Sequence, residues 1–407
     1  MTAADPAALP PRRVTLVFCT PDGHVLGSLP PYDVALPFWQ EAFDVVAGAR
    51  TVHDVDVTVL RLLDVQRQQT REGGPVAYLA QVEEPPALPL SPWPGDPTAP
   101  EPLRQQWAEP GGPDADLAWA DAVLADRGTP RTDRAEQMRT WNLSSLWRLP
   151  TATGCACLKV VPPFFAHEGA MLVRLQAPVM PPLIATEGPR VLLDEIPGED
   201  QYDAPLQRLL QMVPMLVDVQ VAWAARVPEL LAMGLPDWRH PSLARLAEDA
   251  LRRTAAELDV ATVEAVRVLI AGLPERFAAV ADCGVPDSLV HGDFHPGNVR
   301  GNDQRLVLLD WGDCGVGHPL LDQAAFVERL VPTDCDVVRT HWAGLWRAAV
   351  PGSDPERAAA LLEPVAALRQ AVIYDQFVTQ IEPDERVYHA GDPADWLRRV
   401  AEVTARP

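Results

Sequence analysis

The stretches VHGDFHPGNV, residues 290–299, and LLDWGD, residues 308–313, decide how this chain is interpreted. In the first stretch Asn298 follows Asp293 by five residues. In the second, Asp310 comes twelve residues after Asn298, at the end of an apolar run. Phosphoryl transfer uses such groups: one carboxylate accepts the proton of an attacking hydroxyl, while an amide oxygen and a second carboxylate hold Mg²⁺ against the phosphates. The spacing therefore predicts a phosphoryl-transfer site formed by one loop and the end of the following strand.

Other interpretations of these stretches fit the residues less well. His291 and His295 lie four residues apart, as a pair of zinc ligands on a helix would. The glycines and the proline of the same run break any helix there, which argues against zinc. The run GDCGVG, residues 312–317, lacks the G-x-G-x-x-G spacing of a dinucleotide loop. Asp313 is either a third neighbour of the metal or a solvated carboxylate, and we expect His318 to be structural.

The two stretches together resemble the aminoglycoside phosphotransferase family, which is grouped with the choline kinases and with kinase-like enzymes more widely. The resemblance implies a kinase-like fold and transfer of the γ-phosphate of ATP or GTP to a hydroxyl group of a small molecule. It also implies a role for each matching residue: Asp293 as catalytic base, Asn298 and Asp310 as Mg²⁺ ligands, His291 as the residue that orients the loop around Asp293, and Asp322 as a structural carboxylate of the helical lobe.

Lys159 is the only lysine among the 34 basic residues, all the others being arginine. A solvated surface lysine is a weak explanation for it, because this chain uses arginine everywhere else. It lies in the run CACLKVV, residues 155–161, in the third strand of the predicted small lobe. There the resemblance places the lysine that contacts the α- and β-phosphates. Glu168 on the following helix is the nearest candidate for its ion-pair partner, and a surface glutamate is the alternative.

Two further segments are predicted to contact the nucleotide. The turn at residues 142–145 should cover the phosphates and offers Ser144 and Ser145 where protein kinases have glycines, although an ordinary hairpin fits equally well. The hinge at residues 193–196 should offer backbone hydrogen bonds to the base at Glu195 and Ile196. These residues leave the choice between ATP and GTP open.

The acceptor is expected in the helical lobe, near the tail QAVIYDQFVTQIEPDERVYH, residues 370–389. Carboxylates beside aromatic rings can hold a cationic amino sugar, an aminoglycoside-like molecule or an amino alcohol. The candidates in the tail are Asp375, Glu382, Glu385 and Tyr388. A solvated acidic helix face is the alternative, since the whole chain is acidic.

The charge balance excludes several classes of partner. Lys and Arg number 34 against 56 Asp and Glu, so the formal net charge is −22, which repels nucleic acid and anionic membrane surfaces. No apolar run reaches the roughly 18–20 residues of a membrane span, and the N-terminus has no signal-peptide core, so we expect a cytoplasmic protein. The six cysteines form no C-x-x-C pair, which argues against a disulfide framework or a thiolate zinc site.

The pattern of elements predicts an α+β protein with two lobes, a small β-rich lobe and a larger helical lobe, preceded by a small α+β domain. The resemblance implies that the two lobes form a bilobal, protein-kinase-like fold. Four parts are expected: an accessory domain at 1–86, a proline-rich linker at 87–113, the small lobe at 114–198 and the helical lobe at 199–407. Residues 136–196 read as three strands, a helix and two strands. Helices are also predicted over residues 36–49, and in the helical lobe over 205–233, 242–257 and 261–280. The accessory domain faintly resembles a Nudix domain without its glutamate cluster. A nucleotide-binding regulatory module without catalysis is the alternative function.

Overall fold

The computed structural model describes residues 9–65 and 72–405. Its strands are β1 Arg12–Cys19, β2 Val25–Ser28, β3 Tyr32–Val34, β4 Thr58–Val65, β5 Gly74–Gln81, β6 Glu136–Trp141, β7 Ser144–Thr151, β8 Gly154–Val160, β9 Leu183–Glu187, β10 Arg190–Asp194, β11 Glu199–Asp200, β12 Ser288–Val290, β13 Val299–Gly301, β14 Leu306–Leu308 and β15 Gly315–Gly317. Its helices are α1 Phe43–His53, α2 Gly112–Asp126, α3 His167–Leu175, α4 Leu206–Trp223, α5 Val227–Ala232, α6 Ser242–Thr254, α7 Val260–Ala271, α8 Leu273–Ala281, α9 Leu321–Glu328, α10 Pro332–Ala349, α11 Pro355–Gln380 and α12 Asp392–Thr404. Among the described residues, no helix is both long and apolar enough to cross a membrane.

The N-terminal unit is a five-stranded mixed sheet with one helix. Strand β1 runs parallel to β5 and antiparallel to β2 and β3, while β4 pairs antiparallel with β5. The helix predicted over 36–49 was placed too early, because α1 begins only at Phe43. The residues before it lie along β6 instead, where Ala42 N donates to Met138 O at 3.0 Å and Gln40 O accepts from Thr140 N at 3.0 Å.

The proline-rich segment after β5 packs against both neighbouring units. Ser91 pairs with Ser28 in an isolated β-bridge to the N-terminal sheet. Trp107, in a single 3-10 turn, is 2% exposed and its Nε1 donates to Trp141 O at 3.1 Å. Ten prolines between 85 and 113 deny this segment a long helix or a central strand, so it follows the surfaces of its neighbours. Helix α2 then covers one face of the small-lobe sheet.

The small lobe has the predicted succession of three strands, one helix and two strands. Its antiparallel sheet has the order β6-β7-β8-β10-β9. Strand β8 shows why: Ala156, Leu158 and Val160 are buried under α2, and the alternate residues turn to the opposite face. Lys159 is one of those alternate residues, so the pleat directs it away from the α2 side.

The large lobe is helical and carries two short sheets, β12 with β15 and β11-β13-β14. The predicted helical stretch 205–233 is divided by a 3-10 turn at Ala224–Arg226. The predicted stretch 261–280 is divided at Gly272, with Pro274 in the first turn of α8. The core contains the fully buried rings of Phe294, Phe326, Trp311, Trp342 and Trp346. Phe294 stacks on Phe326 with ring centroids 4.8 Å apart, which fixes the loop that carries the neighbouring Asp293.

Candidate active site between the two lobes

Lys159 joins the two lobes through a pair of hydrogen bonds. Its Nζ donates to Glu168 Oε1 at 2.8 Å within the small lobe and to Asp310 Oδ1 at 2.7 Å in the large lobe. The lysine side chain is 15% exposed. Burial lowers the pKa of the ammonium, but the negative charges of Asp310 and Glu168 raise it by more, so the lysine is charged. The only lysine of the chain thus contacts one of the predicted metal ligands.

Glu168 holds more than the lysine. Its Oε1 also accepts a hydrogen bond from Trp311 N at 3.1 Å, so one buried carboxylate from α3 fixes both Lys159 and the backbone that follows Asp310. Burial raises the pKa of Glu168 by more than the lysine and the Trp311 amide lower it. The pairing that the sequence suggested for Glu168 is present, and the surface alternative does not hold.

Asp293 and Asn298 lie together on the loop after β12. Asn298 Nδ2 donates to Asp293 O at 2.8 Å and to Asp293 Oδ2 at 3.1 Å. His295 Nδ1 accepts from Gly297 N at 3.0 Å, so its Nε2, 3.4 Å from Asp293 Oδ2, carries the proton. Burial raises the pKa of Asp293, but the His295 contact and the charge of Arg329 outweigh it and lower the pKa to about 2. Asp293 is therefore ionised and able to accept a proton.

His291 and Asp322 hold the start of the same loop. His291 is fully buried, and its Nε2 lies 2.9 Å from Leu309 O, on the residue before Asp310. Burial lowers the pKa of His291 to about 4, so the ring is neutral and donates to that carbonyl. The Asp322 carboxylate accepts from His291 N and from Gly292 N, both at 2.8 Å. The Asp322 side chain thus fixes the start of the loop, and the His291 ring links it to the Leu309 carbonyl next to Asp310. That His291 orients the loop around Asp293 stays a prediction.

Asn298 and Asp310 leave oxygen atoms for a hard cation. Because Asn298 uses its Nδ2 on Asp293, its amide oxygen faces away from that bond and is free of the Asp293 contacts. Asp310 adopts φ +59°, at the end of β14, and binds Lys159 through Oδ1 alone. Within residues 9–65 and 72–405 no cluster of three or more His, Cys, Asp or Glu residues forms a metal site by itself. This sparse oxygen set fits Mg²⁺, which keeps several waters and takes substrate phosphates as ligands.

Asp313 and Arg369 complete the surroundings of Asp293. Burial, together with the charges of Asp293 and Asp310, raises the pKa of Asp313 to about 8. Asp313 is half-buried beside the site, and its role as a third neighbour of the metal stays a prediction. Arg369, from α11, donates to the carbonyls of Gly292 and Asp313. Sequence reasoning missed Arg369, because one arginine among many carries no local signal for a bond made to loops more than fifty residues away.

The predicted nucleotide-covering turn and the hinge are hydrogen-bonded within the protein. Ser144 and Ser145 are buried, and their hydroxyls accept from the Nε1 atoms of Trp141 and Trp147. At the hinge, Glu195 N donates to Cys155 O at 3.0 Å and Ile196 O accepts from Arg300 Nε at 3.0 Å. The two serine hydroxyls, the Glu195 amide and the Ile196 carbonyl therefore already have protein partners. Their contact with a nucleotide stays a prediction.

The four acceptor candidates lie in contacts of the protein with itself. Asp375 accepts from Arg253 Nε at 2.8 Å, on the helical lobe. Glu382 binds Arg104 at 3.0 Å and Arg61 at 3.3 Å. Glu385 accepts from Leu62 N at 3.2 Å, and the ring of Tyr388 packs edge-on against Trp39 and Trp141. Three of the four therefore bind the N-terminal unit or the linker, and contact of any of the four with an acceptor stays a prediction.

The comparisons with known proteins concern the family and the fold. Residues 162–361 match the model of APH, a phosphotransferase enzyme family. The choline kinase LicA from Streptococcus pneumoniae shares 15% sequence identity over 72% of this chain and 99% of its own, with a TM-score of 0.52. A candidate aminoglycoside phosphotransferase from Ralstonia eutropha JMP134 shares 15% identity over 71% of this chain and 98% of its own, with a TM-score of 0.51. None of the curated proteins compared with the chain matches it.

At such identities these structures show the fold, and the predicted kinase-like fold is confirmed. The family match includes Glu168, Asp293, Asn298 and Asp310 and begins just after Lys159. It does not extend to residues 1–86, so the Nudix resemblance of the N-terminal unit stays unconfirmed.

Proposed function

We propose that this protein is a Mg²⁺-dependent small-molecule kinase that moves the γ-phosphate of ATP or GTP to a hydroxyl group of its acceptor. The observation that carries the proposal is the hydrogen bond from Lys159 to Asp310 across the cleft, with Glu168 behind the lysine. The match of residues 162–361 to a phosphotransferase family supports the same reaction class.

Asp293 is the group suited to accept the proton. It is ionised, and Asn298 Nδ2 fixes its carboxylate at 3.1 Å. As the acceptor oxygen forms its bond to the γ-phosphorus, the bond from that phosphorus to the bridging oxygen breaks, the nucleoside diphosphate leaves and the hydroxyl proton passes to Asp293. A fixed base next to the bound hydroxyl converts an encounter in solution into a reaction within one complex.

Lys159 provides the positive charge on the nucleotide side of the site. Its ammonium is held at 2.8 Å by Glu168, which is itself fixed by Trp311 N. Such a pre-positioned charge stabilises phosphate oxygens without having to reorganise during the reaction. Asn298 and Asp310 would hold Mg²⁺, which when bound offsets the negative charge of the phosphates.

The surroundings of Asp293 favour a cationic acceptor. Asp293 is ionised, and Asp313, whose pKa is raised to about 8, can release its proton when a cation binds beside it. The phenol of Tyr374 has its pKa raised by burial and by acidic neighbours that include both aspartates. The ring of Tyr202 lies 5.7 Å from the ring of His295. Carboxylates and aromatic faces attract protonated amines. We therefore place amino sugars, aminoglycosides and amino alcohols first among the acceptors.

Transfer of labelled γ-phosphate to a panel of these acceptors tests the function. The wild type should phosphorylate at least one class, and Asp293→Asn should lower the rate by about 10²–10⁴-fold while nucleotide binding persists, because only the proton acceptor is lost. Asp336→Asn, which makes the same chemical change at a side chain that is 94% exposed on α10, should leave the rate unchanged. Nucleotide binding without transfer to any acceptor would instead support the regulatory module.

A further inference from the structure

We infer that Arg369 is a positioning residue that sets the distance between the loop bearing Asp293 and the loop bearing Asp310. The inference rests on the proposed function, because it gives these two loops the base and the metal ligand. Arg369 lies in the middle of α11, the 26-residue helix that spans the large lobe.

The guanidinium bridges two backbone carbonyls, one from each loop. Arg369 Nη1 donates to Gly292 O at 3.0 Å, on the residue before Asp293. Arg369 Nη2 donates to Asp313 O at 3.3 Å, three residues after Asp310. The side chain is 2% exposed, so water does not compete for either carbonyl. One rigid planar group thus fixes the separation of the two loops.

The contact requires Gly292. This residue has φ +94°, and a Cβ atom built on it would lie 2.1 Å from Asp313 O and 2.6 Å from Arg369 Nη2. Only a residue without a side chain lets the two loops approach this closely. Because Gly292 N donates to the Asp322 carboxylate at 2.8 Å, the peptide groups on both sides of this glycine are fixed.

The guanidinium is itself held in place. Trp238 packs its ring 4.9 Å from the guanidinium carbon, and Trp238 N donates to Val316 O at 2.8 Å. The charge is compensated by acidic neighbours, which include Asp322 and Asp293. Arg369 Nε has no hydrogen-bond partner among the described residues, so the two carbonyl bonds and the stacking are what orient the group.

Loss of Arg369 should release mainly the Asp293 loop. The Asp310 side of the cleft has its own supports, which are the bonds from Lys159 to Asp310 and from Trp311 N to Glu168. A small displacement of the base relative to the phosphorus reduces the rate by about 10²-fold, whereas nucleotide binding depends on the other side. A defect confined to kcat therefore separates positioning from general damage to the fold.

The test compares Arg369→Lys, Arg369→Gln and the control Arg276→Gln. Arg276 lies on α8, and its Nη1 donates to Leu361 O of α11 at 2.9 Å. The control therefore also removes a bond between a guanidinium and a backbone carbonyl at α11, but away from both loops. Three quantities are measured: the affinity and stoichiometry of ATP binding with Mg²⁺, kcat and KM for ATP, and hydrogen exchange of the amides in residues 291–298 and 311–315.

Both Arg369 variants should lower kcat by about 10²-fold with an ATP stoichiometry near one and KM for ATP within about threefold of wild type. Amide exchange should become faster mainly in residues 291–298 and less so in residues 311–315. The control should match wild type in all three. A kcat within about threefold of wild type would overturn the inference, and so would unchanged amide exchange in both loops. It would also be overturned if kcat fell only in proportion to the fraction of protein that binds ATP. If Arg369→Gln does not fold, Arg369→Lys decides. A wild type without nucleotide binding refutes the proposed function alone, and hydrogen exchange then decides the role of Arg369.

Discussion

At the scale of single residues, the composition of the chain is what makes Lys159 informative. It is the only lysine in a chain whose other basic residues are arginines, and it lies where two carboxylates from different lobes converge. A compact ammonium fits between Glu168 and Asp310, whereas a planar guanidinium is wider and carries its donors in a fixed fork. If any positively charged side chain served at this position, an arginine would be expected here as in the rest of the chain.

Lys159→Arg should therefore weaken Mg²⁺–ATP binding despite keeping the charge. Loss of charge-assisted hydrogen bonds of about 1.5–3 kcal/mol corresponds to roughly a 10- to 100-fold higher Kd. Calorimetric titration with ATP measures the effect. Arg148→Lys, on neighbouring β7 where Arg148 binds Glu136 at 2.9 Å on the surface, is the control and should bind as wild type does. Equal affinities of Lys159→Arg and wild type would remove the lysine from the nucleotide site.

The site residues that sequence could identify are those whose role is local. Asp293 and Asn298 share one loop, and Asp310 ends the next hairpin, so their spacing along the chain already contains the geometry. The contacts of Arg369, and those that Asn142 makes with the C-terminal tail, depend on which distant elements of the chain pack together. A residue type and its immediate neighbours hold no information about that packing.

At the scale of elements, the turn between β6 and β7 is fixed by the segment Pro383–Tyr388, which forms a 3-10 helix, and by the residue after it. Asn142 Nδ2 donates to Glu385 O at 3.2 Å, and Asn142 Oδ1 lies 3.1 Å from His389 Nε2. The Glu385 side chain, in the same segment, also accepts a hydrogen bond from the Leu62 amide of β4. The turn of the small lobe, the tail of the large lobe and the N-terminal sheet therefore meet at Glu385.

Glu385 should make the stability of this junction depend on pH. Burial, reinforced by the charge of Glu382, raises the pKa of Glu385 from an ordinary 4.5 to about 8 in the folded protein. The folded state thus binds a proton that the unfolded state has already released, and this contribution to stability falls as the pH rises from about 5 to about 8. Glu385→Gln keeps a neutral side chain with an acceptor oxygen for Leu62 N and removes the titration.

Thermal unfolding across this pH range checks the prediction. The melting temperature of Glu385→Gln should rise relative to wild type as the pH increases from about 5 to about 8 and the difference should level off above that. The control Glu402→Gln, on the exposed side of α12, should keep the pH profile of wild type. Parallel profiles for wild type and Glu385→Gln would show that this carboxyl does not titrate in the expected window.

The element boundaries show where periodicity is informative and where it is not. The alternation of β8 and the apolar spacing of α3 place the small lobe correctly, since both elements are half-buried and show their period. The early placement of α1 has another cause. Residues 36–42 have apolar spacing, but Ala42 and Gln40 bond to β6, a partner almost a hundred residues away.

At the scale of the whole molecule, the N-terminal unit is joined to both lobes. Arg61, 2% exposed on β4, pairs with the equally buried Glu382, and Gln137 of β6 bonds through its side chain to both backbone groups of Val59. This packing explains why the sequence alone could not predict what residues 370–389 contact. Acidic and aromatic residues in 370–389 have the composition of a cation site, yet most of them form an internal interface. Composition alone does not distinguish the two.

The cleft itself depends on both lobes, because Lys159 and Glu168 come from one and Asp293, Asn298 and Asp310 from the other. Under the proposed function, nucleotide binding is consequently a property of the assembled molecule. It can also be measured before the acceptor is known, which separates the central claim from the identity of the substrate.

The most direct measurement is calorimetric binding of ATP and GTP to wild type and Asp310→Asn, each with and without Mg²⁺. The account predicts that wild type binds at least one nucleotide tightly only when Mg²⁺ is present and that Asp310→Asn loses this dependence, because the carboxylate that meets both Lys159 and the metal is gone. Identical Mg²⁺-dependent affinities for wild type and Asp310→Asn would contradict the assignment of the metal ligand. Absence of binding of either nucleotide to wild type would contradict the proposed phosphotransfer altogether.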